Sequence, residues 1–184
     1  DLSSGLTNIK IDGERHSRLS VLARNIAIQI VTPESFKLFF GGPKERRRFI
    51  DLGMFHVKHD FSQQLKNFNR VLKQRNACIK LNNNSSQLDS MLPYWTEQFC
   101  QMSVEVAKVR QEYTSVLIAE LDVWLSILLP NLKSRVTVQY LQGWSQKREL
   151  KHVLASNYER EASYGYSLYG AHKFDVKFLL DKQS

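Results

Sequence analysis

Eleven cations stand between Lys37 and Lys80 against three carboxylates, Glu45, Asp51 and Asp60, so this stretch carries +8. That equals the formal net charge of the whole 184-residue chain, because four basic and four acidic residues precede it and eleven of each follow it. A neutral body with one concentrated positive region is the footprint of a polyanion partner, above all nucleic acid. Two groups inside the stretch have the residue types for phosphate contact. Lys44, Arg46, Arg47 and Arg48 occupy the first turn of a helix that Pro43 begins, where free N–H groups add to the forked donors of Arg. Cations at that end oppose the helix dipole, so helix stability does not account for them. One of three adjacent Arg residues must face inward, and Asp51 and Glu45 are the expected partners of Arg47 or Arg48. Lys66, Arg70 and Lys73 form the second group, on the outward side of the next helix. Such residues supply backbone contacts without base readout. A solvated face is the plainer reading of the same stripe.

The elements that position these groups follow from periodicity. Ile9 and Ile11 alternate before a turn at Asp12-Gly13, Arg18 to Arg24 fits a short helix, and Asn25 to Val31 reads as a buried strand. Pro33 ends that strand, and Gly41-Gly42-Pro43 is a second break before the helix that runs through Gly53. From Phe61 to Leu81, Leu65, Phe68, Val71, Leu72, Cys78 and Ile79 project to one side, with Lys66, Arg70, Lys73 and Lys80 opposite. Arg75 falls inside the apolar face and is expected to be a structural pin, because a buried cation needs a carboxylate or several carbonyls. After a polar loop from Asn82 to Ser90, Trp95, Phe99, Met102, Val106, Val109, Tyr113, Val116, Glu120, Val123 and Ile127 form a heptad seam. A single helix from Pro93 to Leu129 would be about 55 Å long and would need a partner, for which the basic helix is the candidate. Arg135 to Tyr140 alternates as a half-buried strand, Ser145 is placed to cap a helix through Leu150, Val153, Leu154 and Tyr158, and Lys173 to Leu180 reads as a last strand.

The fold class is therefore mixed α/β. Residues 1–54 form part of an α/β lobe, 55–132 a helical lobe built on a long antiparallel hairpin, and 133–184 a strand-helix-strand return. Hydrophobic content of 42% is enough for a packed core. No apolar run suits a membrane span, and Cys78 and Cys100 read as free thiols of a reducing cytoplasm. No phosphate loop, dinucleotide-binding glycine pattern, nucleophile elbow or paired-acid strand is present, so no catalytic residue is assigned. The absence of an initiating Met marks the chain as an expected part of a longer protein.

The motifs GGPKERRRFID, LGMFH and LKQRNA, with IDG at 11–13, TPES at 32–35, GW at 143–144 and YGAHKFD at 169–175, resemble the RecF family of bacterial recombination and gap-repair ATPases, which are related to the SMC proteins. The resemblance spans nearly the whole chain and about the middle half of a family member. It implies that the phosphate loop lies upstream, and the signature motif and acidic ATPase strand downstream. The intact protein would then be a weak ABC-type ATPase that uses ATP and Mg²⁺ and dimerises around the nucleotide. It would bind single- and double-stranded DNA at gaps, serve replication and the SOS response, and help RecO and RecR load recombinase. No catalysis and no cofactor are expected of this stretch alone. Thr32 and Glu34 resemble the metal-contacting loop of SMC-type ATPases with its usual Gln replaced, and His172, Lys173 and Asp175 match a G-P-H-[RK]-x-D pattern with Ala171 in place of Pro. Both sets are candidates for nucleotide sensing. The alternatives are a strand end capped by Glu34, and a turn held by a hydrogen bond between Asp175 and His172. A different class of reading also stands, in which the hairpin docks a protein partner or a second protomer without touching DNA.

Overall fold

The computed structural model describes residues 9–16, 30–58, 60–81 and 91–181. The expected helix at 18–24, most of the strand at 25–31 and the loop at 82–90 lie outside these residues. Strands β1 (Ile9–Ile11) and β2 (Glu14–His16) pair antiparallel across Asp12 and Gly13, both at positive φ. That conformation suits the tight hairpin turn such a dipeptide favours. A 3₁₀ turn at Pro33–Phe36 runs into the short helix α1 (Lys37–Phe40), and the glycine break then leads to α2 (Pro43–Val57), with Pro43 in its first turn as expected.

Helix α3 (Phe61–Leu81) has the bounds that its periodicity predicts. Phe61, Phe68, Val71, Cys78 and Ile79 are buried on its inner face, and Lys66, Arg70, Lys73 and Lys80 are exposed on the other. Helix α4 (Leu92–Leu128) is one element of 37 residues. Its fully buried positions are Phe99, Cys100, Ser103, Val106, Ala107, Arg110 and Thr114, a stripe wider than the heptad seam and rotated from it. The physical reason is that α4 packs on α3 along one side and on the C-terminal residues along another. The seam is also shorter than its sequence pattern. With 21 residues, α3 is about 31 Å long, and beyond Tyr113 the seam residues Val116, Val123 and Ile127 are 64%, 53% and 64% exposed.

Strands β3 (Val136–Leu141) and β4 (Asp175–Leu180) pair antiparallel, with Val138 opposite Phe178 and Tyr140 opposite Val176. Tyr140 Oη donates to the carbonyl of Ala107 on α4, which ties the hairpin to the long helix. Between the strands, the single helix expected from Ser145 is two short ones, α5 (Leu150–Ser156) and α6 (Tyr158–Tyr164). Ser145 Oγ instead accepts the N–H of Lys147 in a turn. Asn157 breaks the run: its Nδ2 donates to Val153 O while Ser156 Oγ donates to His152 O, local bonds that compete with helix continuation. The glycines of the GW and YGAHKFD motifs meet here. Gly170 N–H donates to Gly143 O, both residues have positive φ, and a Cβ on Gly143 would collide with the Gly170 carbonyl.

One core cluster draws on all three expected segments: Ile50 and Met54 of α2, Phe61, Phe68 and Val71 of α3, Phe99 and Val106 of α4, Leu150 and Leu154 of α5, and Phe174 and Val176. The structure is therefore mixed helix and strand, built on a long antiparallel helical hairpin, with the C-terminal β-hairpin sealing its base. Among the described residues no helix is long and apolar enough to cross a membrane.

Candidate nucleic-acid interface

The two basic groups have different surroundings. On α2, Arg46 is half-buried and places Nε and Nη2 on the two carboxylate oxygens of Asp175, at 2.8 and 3.0 Å, while Nη1 donates to Gly41 O at 2.8 Å. The Asp175 carboxylate holds the Arg46 guanidinium above its ordinary pKa. Arg47, also half-buried, donates to Phe174 O at 3.1 Å. Lys44 and Arg48 are exposed and make no ion pair among the described residues. Asp51, the partner anticipated for Arg47 or Arg48, is instead gripped by Arg110 of α4 through two bonds of 2.9 Å. Arg110 is 2% exposed, also donates to Ala171 O, and stacks its guanidinium 3.8 Å from the Phe174 ring centre. Burial pushes the Asp51 carboxyl up and the Arg110 guanidinium down, each against the pull of the other.

On α3 the same residue types have no such partners. Lys66, Arg70 and Lys73 are exposed, sit on one stripe at i, i+4 and i+7, and make no ion pair among the described residues. The helix FSQQLKNFNRVLKQRNACIKL contains no carboxylate at all, so nothing on the element itself neutralises the stripe. Arg75 is the inward exception its position predicts. It is 1% exposed and donates to Thr96 Oγ1, Ser167 Oγ and Glu161 Oε2, the last at 2.6 Å. Glu161, 0% exposed, spends its other oxygen on the Leu168 N–H, and Asn76 Oδ1 accepts from Ser167 N–H and Oγ. The sequence reading missed Arg110 and Glu161. Arg110 carries the same signal as Arg75, a cation in a stripe of small and apolar residues at three and four spacing, whereas Glu161 has no comparable mark in its exposed-looking neighbourhood YEREASY.

The candidate nucleotide-sensing residues fall at two places. Thr32 opens the 3₁₀ turn, its N–H donating to Ser35 Oγ, and Glu34 is exposed with Lys37 at 3.0 Å. Both border a cleft of about 600 Å³ that Arg48 also lines. His172 and Asp175 do not bond each other. His172 Nε2 meets Ser167 O at 2.9 Å, its Nδ1 is buried without a partner, and Asp175 serves Arg46 and the Val176 N–H. Burial holds the His172 imidazole down to about 4, so the ring is neutral and Nε2 carries the proton. Lys173 is exposed, with its ammonium 5.3 Å from the Tyr166 ring centre. Cys78 and Cys100 are free and buried, and burial raises the Cys100 thiol to about 11, which leaves it unreactive. No group of three or more His, Cys, Asp or Glu suited to a metal occurs among the described residues.

No protein-family model matches the sequence. Curated relatives do. The DNA replication and repair protein RecF of Colwellia psychrerythraea is 65% identical over all 184 residues, which cover 48% of that protein. The RecF of Pseudoalteromonas translucida is 37% identical over 95% of this chain and 47% of its own length. A solved structure described as the recombination mediator protein RecF-ATP in the RecFOR pathway superposes with a TM-score of 0.83 at 20% identity, covering 96% of this chain and 49% of that one. The chain thus spans about half the length of the relatives it matches. By its sequence over its whole length, and by a fold that follows theirs, it belongs to the RecF family.

Proposed function

We propose that this part of a RecF protein binds the DNA backbone through the outward face of α3, with Lys66, Arg70 and Lys73 as phosphate contacts and Lys44 and Arg48 as a secondary group. The observation that carries the reading is the exposed, unpaired stripe on a helix without a single carboxylate. From Lys66 to Lys73 the stripe runs about 10 Å along the helix axis, enough to follow a few phosphates of one strand. Arg46 and Arg47 are set aside, since their donors are taken within the protein. Nothing in the stripe reads bases, so the binding is non-specific.

In the longer protein we assign this segment to a repair and recombination ATPase of the cytoplasm that uses ATP and Mg²⁺, dimerises on the nucleotide and works with RecO and RecR. Thr32, Glu34, His172, Lys173 and Asp175 are the residues we assign to nucleotide sensing there, and no hydrolytic step is assigned to this chain. The test of the DNA assignment is charge reversal, K66E/R70E/K73E, in a fluorescence-anisotropy titration with duplex at several salt concentrations. Affinity should fall and the salt slope flatten, and unchanged binding sinks the assignment. A second reading, docking of a protein through the hairpin, is favoured by one observation: the exposed apolar end of the seam at Val116, Val123 and Ile127.

A further inference from the structure

We propose that Arg46 is a latch that fixes the Thr32–Gly42 connector to strand β4, so that Thr32–Glu34 and His172–Asp175 move as one body. The connector has little else to hold it. None of its residues is buried, and Phe36, Phe39 and Phe40 are 64%, 52% and 87% exposed. A segment that buries so little apolar surface is not placed by the hydrophobic effect, and it opens at low local cost unless specific bonds restrain it. Those bonds converge on one guanidinium. Arg46 Nη1 takes the carbonyl of Gly41 in the connector's last turn, while Nε and Nη2 take both oxygens of Asp175, 129 residues away in sequence.

The receiving end is itself fixed. Asp175 Oδ1 also accepts the Val176 N–H at the start of β4, Arg47 holds the adjacent Phe174 carbonyl, and Val176 is core. The single further tie between connector and strand among the described residues is an edge-on contact of Phe39 with Phe178, ring centres 5.0 Å apart. The Arg46 and Asp175 side chains are 13% and 12% exposed, so the forked pair is little screened by salt yet lies within reach of solvent. Arg75 and Arg110, by contrast, bind the core together and are sealed from solvent. Arg46 alone bridges a mobile-type segment, exposed and short, to a rigid one. The inference rests on this geometry and not on the DNA assignment.

The test is hydrogen exchange on the 184-residue chain. In R46Q, exchange of the 33–42 amides should rise roughly tenfold or more, while that of the α3 and α4 centres stays unchanged. Breaking the exposed Glu34–Lys37 pair in the same connector with K37A should leave exchange there within about twofold. Unchanged exchange of the connector in R46Q overturns the latch, and so does a uniform rise across all segments, which would make Arg46 an ordinary stabilising residue. D175N, which keeps the side-chain shape, covers the case in which R46Q does not fold. Spin labels at E34C and K177C should then give a narrow distance distribution in the parent and a broad one with D175N. An equally narrow distribution overturns the proposal.

Discussion

The arginines of α2 and the cations of α3 come from one basic stretch, yet they serve opposite ends. Arg46 and Arg47 turn back into the protein, onto Asp175 and the Phe174 carbonyl, whereas Lys66, Arg70 and Lys73 face solvent with no partner among the described residues. The difference lies in what the fold brings within reach. Helix α2 packs beside β4, which offers a carboxylate and a free carbonyl, and α3 turns its basic face away from every element that contacts it. The same logic sorts the deeper arginines, since Arg75 and Arg110 sit in apolar stripes and each has found one carboxylate, Glu161 and Asp51. Local charge density therefore overstates the positive surface that a polyanion meets.

The sharpest way to break the contrast is to remove an inward cation. Arg75→Ala strands Glu161, fully buried, beside Ser167, and should cost about 3–5 kcal/mol in a urea titration. R75L/E161L, which removes both charges and fills the space, should recover most of that loss. Lys73→Ala, two residues away on the outward face, should be close to neutral. A loss at Arg75 no larger than that at Lys73 would erase the division between the two faces.

The second effect concerns the neutral imidazole in the same interior. His172 is held down to about 4 by burial first, with Lys173, Arg47 and Arg75 adding repulsion against the Ser167 carbonyl's pull the other way. A folded-state value below the unfolded value of about 6.5 means that the unfolded chain binds the extra proton first. Stability is therefore whole above about pH 6.5 and falls as pH drops toward 4, by up to roughly 3 kcal/mol. Thermal melts from pH 7 to 4.5 should show this decline in the parent and a shallower one in His172→Asn. Equal slopes would mean that the ring is not the acid-sensitive group.

Much of this architecture was legible in the sequence, and the failures have physical causes. The bounds of α3 and the length of α4 followed from unbroken 3.6-residue periodicity and from Pro130 as a stop. Arg75 was legible as a pin because a lone cation on an apolar face has few other fates. Its acceptors were not, since Thr96, Ser167 and Glu161 lie 21, 92 and 86 residues away and no local rule links them. The division of the Arg run was foreseen only in part: one inward residue was expected, but Asp51 faced Arg110 and left Arg46 to Asp175. The split of α5 from α6 escaped because Ser156 and Asn157 bond their own helix's carbonyls, a competition that hydrophobic spacing does not register.

On the outward face the effect is one of binding. Three phosphate contacts correspond to a salt slope of about 2.7, equivalent to roughly a fortyfold loss of affinity between 50 and 200 mM salt. K66E/R70E/K73E should remove at least that much of the slope and leave the urea midpoint near the parent's. Arg46→Gln should do the reverse, moving stability and connector exchange with little change in slope. If Arg46→Gln alone flattens the slope as much as the triple reversal, the assignment of the two regions is inverted.

The smallest effect separates the two ends of α4. Val106 is 2% exposed within the core, while Val123 and Ile127 continue the same seam at 53% and 64% exposure. A carboxylate at Val106 would be buried without a partner, and V106E should prevent folding. V123E/I127E changes side chains that already meet water, so the melting temperature should stay within about 2 °C of the parent's. A heptad pattern that runs on past its packed length leaves an apolar stripe with no stabilising duty in this chain, and sedimentation of the parent against V123E/I127E tests whether it serves association instead. Loss of a concentration-dependent dimer or complex in the variant, with an unaltered melt, would favour protein docking at that end. Identical sedimentation would leave α3 as the face of the hairpin that meets a partner, and that partner as DNA.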